Sequence, residues 1–353
     1  MLYLDRNENM FGPAPECISI LRSMSSDNLS TYSRDYTRGV KSVLSETLAA
    51  YFRIPEERLL LSYGCEDMLK QIVHCYLGTG DTMMVPQYSW WYYNAIAGEV
   101  GGNVVHYPMH SDSSTFYYNN DEIIAHVKSA HPKLLFFASP NNPTGNSLPP
   151  DLLHHVLRSN SDILVVVDEA YFGFNGVLSA TVPRLVHEYP NLAVLRTFSK
   201  LYGLAGLRIG YCCVGTAYEK LIAYCHRYLG YNTVSELLAM AAFRSERYYA
   251  ALGATIAAER ERYYDCIASF EGWKAYQSDA NFILVKVPSS DIENLQRQLQ
   301  EAKFAVKFFA DEEFLSHIRI TIGTPEQNTS LMKTLKSSSS NSYSQISTPL
   351  TAL

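Results

Sequence analysis

The sequence predicts an α/β protein: a mainly parallel central sheet with helices on both faces, followed by a smaller α+β domain. Three observations carry that reading. Between Leu59 and Val214 short apolar runs alternate with spans of helical periodicity, the pattern of strands joined by crossover helices. The longest runs, such as Ile163 to Val167, have the length of buried strands and are far too short to cross a bilayer. Beyond residue 233 the pattern changes to two long helical stretches, then strand, helix and strand.

Residues 1–30 read as an extended arm, because Gly12-Pro13-Ala14-Pro15 prevents a long helix there. A helix is expected from Val40 to Tyr51, with Val43, Leu44, Thr47, Leu48 and Tyr51 on one face. Leu59-Leu60-Leu61 is a short strand ending at Gly64, and a helix follows from Glu66 to Tyr76. Thr82 to Val85 is a strand, Trp90 to Val100 a helix, and Val104-Val105 and Leu134 to Ala138 are strands. Asp151 to Arg158 reads as helix; Ile163 to Val167, Leu192 to Arg196 and Ile209 to Val214 read as strands. Helices over Val234–Phe243 and Tyr248–Phe270 come next. Strand Asn281–Val287, helix Ile292–Ala302 and strand Ile318–Thr321 complete the smaller unit. This divides the chain into an arm (1–30), a large domain (31–245), a small domain (246–335) and a tail (336–353). The tail is serine-rich, low in complexity and expected to be disordered.

Composition excludes several classes. The 353 residues are 47% hydrophobic and 18% charged, as in an ordinary soluble globular protein. The net charge of -6 comes without a basic block, which argues against nucleic acid and membrane surfaces as partners. No basic segment followed by an apolar core opens the chain, so a cytoplasmic location is expected. The 7 cysteines show no C-x-x-C or Cys/His ligand spacing, so reduced thiols and no metal site are expected.

Lys200 carries the chemical signal, through its neighbours. It lies in Thr197-Phe198-Ser199-Lys200-Leu201-Tyr202-Gly203-Leu204-Ala205-Gly206-Leu207-Arg208. Upstream lie Ser139-Pro140-Asn141-Asn142-Pro143-Thr144-Gly145 and Val165-Val166-Val167-Asp168-Glu169-Ala170-Tyr171. Alone, such a lysine is a surface residue at a loop-to-helix junction. Together the segments supply an amine for a Schiff base, a carboxylate for a pyridinium nitrogen, amide and phenol groups for a ring hydroxyl, and a cation for a phosphate. Pyridoxal 5'-phosphate (PLP) is the cofactor that uses all four.

Asp168 ends an apolar strand, where open α/β sheets bind ligands, although strand-end aspartates also cap helices. Two prolines and a glycine fix the backbone around Asn142, as they would in any turn. Arg208 suits multi-point phosphate recognition, with hydroxyls from Ser199 and Thr197 beside it. In Tyr63-Gly64-Cys65-Glu66-Asp67 a strand turns into a helix whose first N–H groups would bind the same phosphate. Trp90, within Pro86-Gln87-Tyr88-Ser89-Trp90-Trp91-Tyr92-Tyr93, is placed either to stack on a cofactor ring or to fill the core. Arg319, in His317-Ile318-Arg319-Ile320-Thr321-Ile322-Gly323, alternates with isoleucines on a strand. A buried arginine there needs an anion, from a substrate or from a local carboxylate.

As a set these residues resemble the fold-type I PLP enzymes, and among them the class I/II aminotransferases, with the histidinol-phosphate aminotransferases nearest. The resemblance runs from Leu4-Asp5-Arg6-Asn7-Glu8-Asn9 through Arg319-Ile320-Thr321-Ile322-Gly323-Thr324-Pro325-Glu326. It implies Lys200 as Schiff base and proton shuttle, Asp168 on the pyridine nitrogen, and Asn142 and Tyr171 on the ring oxygen. Cys65 and Glu66 amides with Ser199 and Arg208 would hold the phosphate. Tyr32 would reach the cofactor phosphate of a neighbouring subunit, Arg319 would take the substrate carboxylate or its surrogate, and Asn7 in the arm would contribute to substrate binding. The implied activity is ping-pong transfer between an amino donor and a 2-oxo acid, 2-oxoglutarate being expected, in a homodimer. Two positions depart from the family pattern. Trp90 stands where Tyr or Phe is usual, and Met10 follows Asn9 where Pro is usual. A PLP-dependent decarboxylase or other biosynthetic PLP enzyme is the alternative, and a non-catalytic PLP-binding module the distant one.

Overall fold

A computed structural model describes residues 1–179 and 181–341. Its larger sheet has seven strands, in the order Leu59–Ser62, Gly210–Val214, Leu192–Thr197, Leu164–Asp168, Leu134–Ala138, Thr82–Pro86 and Asn103–Tyr107. The last five run parallel to one another, and Gly210–Val214 is antiparallel to both its neighbours. Every residue of Leu134–Ala138 and Leu192–Thr197 is buried, as expected of strands covered by helices on both sides. A five-stranded sheet takes the order Leu2–Leu4, Phe304–Phe308, His317–Thr321, Phe282–Lys286 and Lys274–Tyr276.

The parallel strands bring one set of segments to one edge. Pro86, Ala138, Asp168 and Thr197 end neighbouring strands, so the loops carrying Trp90, Asn142, Tyr171 and Lys200 emerge side by side. The strand that starts at Gly210 runs the other way, which brings Arg208 to the same edge. Ligands bind at this carboxyl edge in open α/β sheets.

Several elements differ from the sequence expectation. The arm contains the strand Leu2–Leu4 and the helix Pro15–Ser23, with Pro15 at its first position, where proline costs no hydrogen bond. The helix Val43–Phe52 begins at a Ser42/Ser45 capping box and buries Leu44, Leu48, Ala49 and Phe52. Val43, expected on the buried face, is exposed. The helix Asn120–Ala130 and the strand Phe304–Phe308 are further elements that the sequence reading does not include. The helix Pro325–Asn341 continues past residue 336, where the tail was expected to begin. Leu331, Leu335 and Ser338 are buried along one side of it, a seam that the serine run conceals. The rest of the expected disordered tail, 342–353, lies outside the described residues.

Candidate active site

The carboxyl edge of the large sheet and the strand His317–Thr321 wall a cavity of about 680 Å³. Lys200, Asp168, Tyr171, Asn142, Trp90, Cys65, Glu66, Thr197, Ser199, Arg208, Arg319 and Asn7 all line it. Residues of the arm, the large sheet and the small sheet therefore meet in one space.

Asp168 sits at the floor and is only 6% exposed. Its Oδ2 accepts from the Tyr93 hydroxyl at 2.8 Å and its Oδ1 from the Ala170 N–H at 3.0 Å. Burial pushes its carboxyl pKa up, while the two donors and nearby Lys200 oppose that shift. A pyridinium nitrogen would fit as a further counter-charge to this carboxylate.

Lys200 reaches the same cavity from the loop after Leu192–Thr197. Its ammonium donates to the Arg6 carbonyl at 3.2 Å and lies 5.4 Å from the centre of the Tyr171 ring. That ring meets Phe282 edge-on at 5.0 Å, and the Tyr171 hydroxyl accepts from Asn7 Nδ2 at 2.9 Å.

A phosphate cradle forms at one end. Gly64 precedes the helix Cys65–Tyr76 with φ 90 and ψ 172, a conformation that L side chains rarely adopt. A Cβ there would lie 2.9 Å from Arg208 Nη2, so the missing side chain leaves the space the guanidinium occupies. Among the described residues Arg208 makes only long hydrogen bonds, 3.3 Å to the Tyr63 and Ala205 carbonyls, 3.4 Å to Ser199 Oγ and 3.5 Å to Glu66 Oε2. Donors held this loosely, beside the free N–H groups of a helix start, fit a phosphate. Thr197 Oγ1 is bonded to Ser199, at 2.9 Å to its hydroxyl and 3.1 Å from its N–H, so Thr197 orders the loop.

In the Asn141-Asn142 pair the two amides do different work. Asn141 is fully buried and bonds the Tyr88 carbonyl, Thr144 and Ser89, which stiffens the turn. Asn142 faces the cavity, and its Oδ1 accepts from Arg319 Nη1. The amide nitrogen of Asn142 keeps its two hydrogens for a ligand.

Arg319 is 8% exposed, and burial lowers its pKa. Its Nη2 donates to the Asp5 carbonyl at 2.7 Å, and its Nε has no partner among the described residues. Among the described residues no side-chain carboxylate forms a salt bridge with it, which leaves the anion to a ligand. Two expected residues lie differently. Asn7 lines the cavity but is 1% exposed, with its side chain bonded to Tyr171 and Thr321. Tyr32 is 67% exposed and outside the cavity of the single chain. Trp90 lines the cavity and contacts the rings of Tyr92 at 4.8 Å and Tyr93 at 6.0 Å.

Sequence reasoning missed Tyr93, which read as one more aromatic in a packed cluster. Its distinguishing feature is a position one helical turn beyond Trp90, after a strand that ends at the same edge as Asp168. The backbone carbonyls of Asp5 and Arg6 were also missed, since no side-chain pattern marks a carbonyl.

Among the described residues no group of His, Cys, Asp and Glu could hold a metal ion, and the cysteines form no disulfide.

Fold and site together define a PLP-dependent enzyme of fold type I. The family model for aminotransferase class I and II matches residues 1–335, and the chain belongs to that family. It is 33% identical over 293 residues to the histidinol-phosphate aminotransferase of Ruminiclostridium cellulolyticum, covering 83% of this chain and 80% of that one. With the enzyme of the same name from Roseiflexus castenholzii it shares 32% over 346 residues, 95% of this chain and 89% of the relative. The crystal structure of histidinol-phosphate aminotransferase from Sinorhizobium meliloti in complex with PLP superposes with a TM-score of 0.83 at 23% identity. That match covers 96% of this chain and 91% of that one. L-threonine-O-3-phosphate decarboxylase from Porphyromonas gingivalis has the same fold, with a TM-score of 0.77 at 20% identity, covering 96% and 99%. The protein is thus an aminotransferase that uses PLP.

Proposed function

We propose that the chain moves an amino group from histidinol phosphate, or a related aromatic amino donor, to a 2-oxo acid such as 2-oxoglutarate. Relatives of that name, at 31–33% identity, support the donor. The observation that carries the reading is Arg319. It is a buried guanidinium with an unpartnered Nε, in the same cavity as Lys200 and without a carboxylate partner among the described residues. It suits the phosphate of the donor in one half of the cycle and a carboxylate of the oxo acid in the other.

When bound, PLP supplies the electron sink that makes the donor's α-hydrogen acidic. Lys200 Nζ is the base that removes that hydrogen and the acid that returns it, from a position set by the Arg6 carbonyl. Asp168 would hold positive charge at the ring nitrogen, and the hydrogen bonds from Tyr93 and the Ala170 N–H favour its carboxylate form against burial. Asn142 Nδ2 and the Tyr171 hydroxyl would donate to the ring oxygen. The turn at Gly64, the Cys65 and Glu66 amides, Ser199 and Arg208 would hold the phosphate, and Trp90 would lie beside the ring.

The exposed tyrosines Tyr32, Tyr36 and Tyr228, with Leu29 and Leu229, support a homodimer in which Tyr32 reaches the partner's cofactor phosphate. No helix among the described residues is long and apolar enough to cross a membrane.

The test is a single-turnover spectrum. PLP-loaded protein is mixed, without acceptor, with histidinol phosphate and separately with aromatic, acidic and aliphatic amino acids. Conversion to the aminated cofactor with histidinol phosphate is the expected result. Conversion only with another donor would discard that substrate and keep the transfer. Release of CO2 without conversion would assign a decarboxylase.

A further inference from the structure

The arm reaches the reacting groups through its backbone and through one side chain. The Asp5 carbonyl holds Arg319, the Arg6 carbonyl holds Lys200, and Asn7 Nδ2 holds the Tyr171 hydroxyl. Asn7 is built into this position. Its φ is 55, a left-handed conformation that asparagine tolerates better than most residues. Asn281 Nδ2 donates to the Asn7 and Glu8 carbonyls at 3.1 and 3.2 Å, which fixes the turn.

Thr321 sets the orientation of the Asn7 amide. Its Oγ1 accepts the Asn7 N–H at 3.0 Å and returns its own hydrogen to Asn7 Oδ1 at 3.3 Å. The amide oxygen is thereby engaged, and Nδ2 is turned to Tyr171. An amide nitrogen only donates, so the phenol must accept there. Its own hydrogen then points elsewhere, and the cavity is where an acceptor would wait.

We propose that Asn7 is a positioning residue that makes the Tyr171 hydroxyl a donor toward the ring oxygen of PLP. This rests on the assignment of Tyr171 to that oxygen made above. A donated hydrogen draws charge from the ring oxygen and makes it a poorer partner for the protonated nitrogen of the Lys200 link. The link therefore loses its proton at lower pH. Because Thr321 lies two residues from Arg319 on the same strand, the arrangement also ties the substrate-anion strand to the phenol.

The test is the pH titration of the absorbance of the Lys200-bound cofactor, which needs no substrate. Asn7→Asp keeps the shape but presents only acceptors, so the Tyr171 hydrogen turns to the new carboxylate and away from the cofactor. The titration midpoint should rise by about one pH unit, and Tyr171→Phe should raise it by a similar amount. Asn7→Gly, which suits the left-handed backbone, should give a smaller rise if Asn7→Asp does not fold. The double variant Asn7→Asp/Tyr171→Phe should titrate like Tyr171→Phe alone, since both act through one hydroxyl.

A full additional shift in the double variant would mean that the carboxylate acts by charge alone and would overturn the proposal. So would wild-type titration in both Asn7 variants while Tyr171→Phe shifts. If Tyr171→Phe does not shift either, both Asn7 and Tyr171 lose their roles. The donor assignment is judged separately, in the wild-type protein, by conversion to the aminated cofactor.

Discussion

Tyr93 Oη stands 2.8 Å from Asp168 Oδ2, and both side chains are buried. The phenol is a neutral donor that helps the aspartate stay ionised against burial. Tyr93→Phe removes one hydrogen bond to a charged group, worth about 1.5–3 kcal/mol. We expect PLP to bind roughly tenfold more weakly or worse, read by equilibrium titration of the apoprotein. Asp168→Asn removes the charge itself and should lower kcat/KM by about 10²–10³-fold. Unchanged cofactor affinity in Tyr93→Phe would show that the Ala170 N–H suffices.

Gly64→Ala tests the phosphate cradle. The new Cβ would lie 2.9 Å from a flexible guanidinium end, which can move, but φ 90 strains any L side chain. Strain of this kind costs on the order of 1–3 kcal/mol. Weaker PLP binding by about 5- to 100-fold, with the spectrum of the bound form unchanged, is the expected outcome.

Arg319→Lys keeps the charge and loses the planar fork. The Asn142 and Asp5 contacts cannot both be kept by one ammonium in the same geometry. The KM of both donor and oxo acid should rise roughly tenfold or more, with a smaller effect on cofactor binding. A change in cofactor affinity alone would take Arg319 out of the substrate site.

His317 gives the fold a pH dependence. Burial, and then Lys286 and Lys274, lower its pKa from 6.5 to about 4. It packs against Phe314 and Tyr276, 5.1 and 6.0 Å between ring centres. Between those pH values the unfolded chain binds the proton and the folded chain does not, so stability rises with pH. The contribution is complete above about pH 6.5 and is lost as pH falls toward 4, up to about 3 kcal/mol. Urea unfolding of His317→Asn across this window should show a shallower pH slope than the wild type.

Much of this was readable in the chain, for physical reasons. The strands inside the sheet announced themselves because burial on both faces calls for apolar residues along most of their length, as in Leu134–Ala138. Asp168 and Lys200 stood out only as a set with Asn142, Tyr171 and Arg208, because one cofactor needs an amine, a carboxylate, ring-oxygen partners and a phosphate-binding cation together. What was illegible depended on tertiary partners. Val43 is as hydrophobic as Leu44, and only the packing of its helix decides which is buried. The Thr321, Asn7 and Tyr171 chain joins residues up to 314 positions apart, and periodicity carries no trace of it. The arm's strand Leu2–Leu4 exists because Phe304–Phe308 offers it an edge.

Lys200→Ala tests the central claim most directly. The variant is loaded with PLP, and its absorbance is followed from low to high pH, then in the presence of donor and oxo acid. The account predicts no pH-dependent band shift, because no lysine link forms, and loss of nearly all turnover. Turnover equal to wild type in that variant would contradict the assignment of Lys200 and the mechanism built on it.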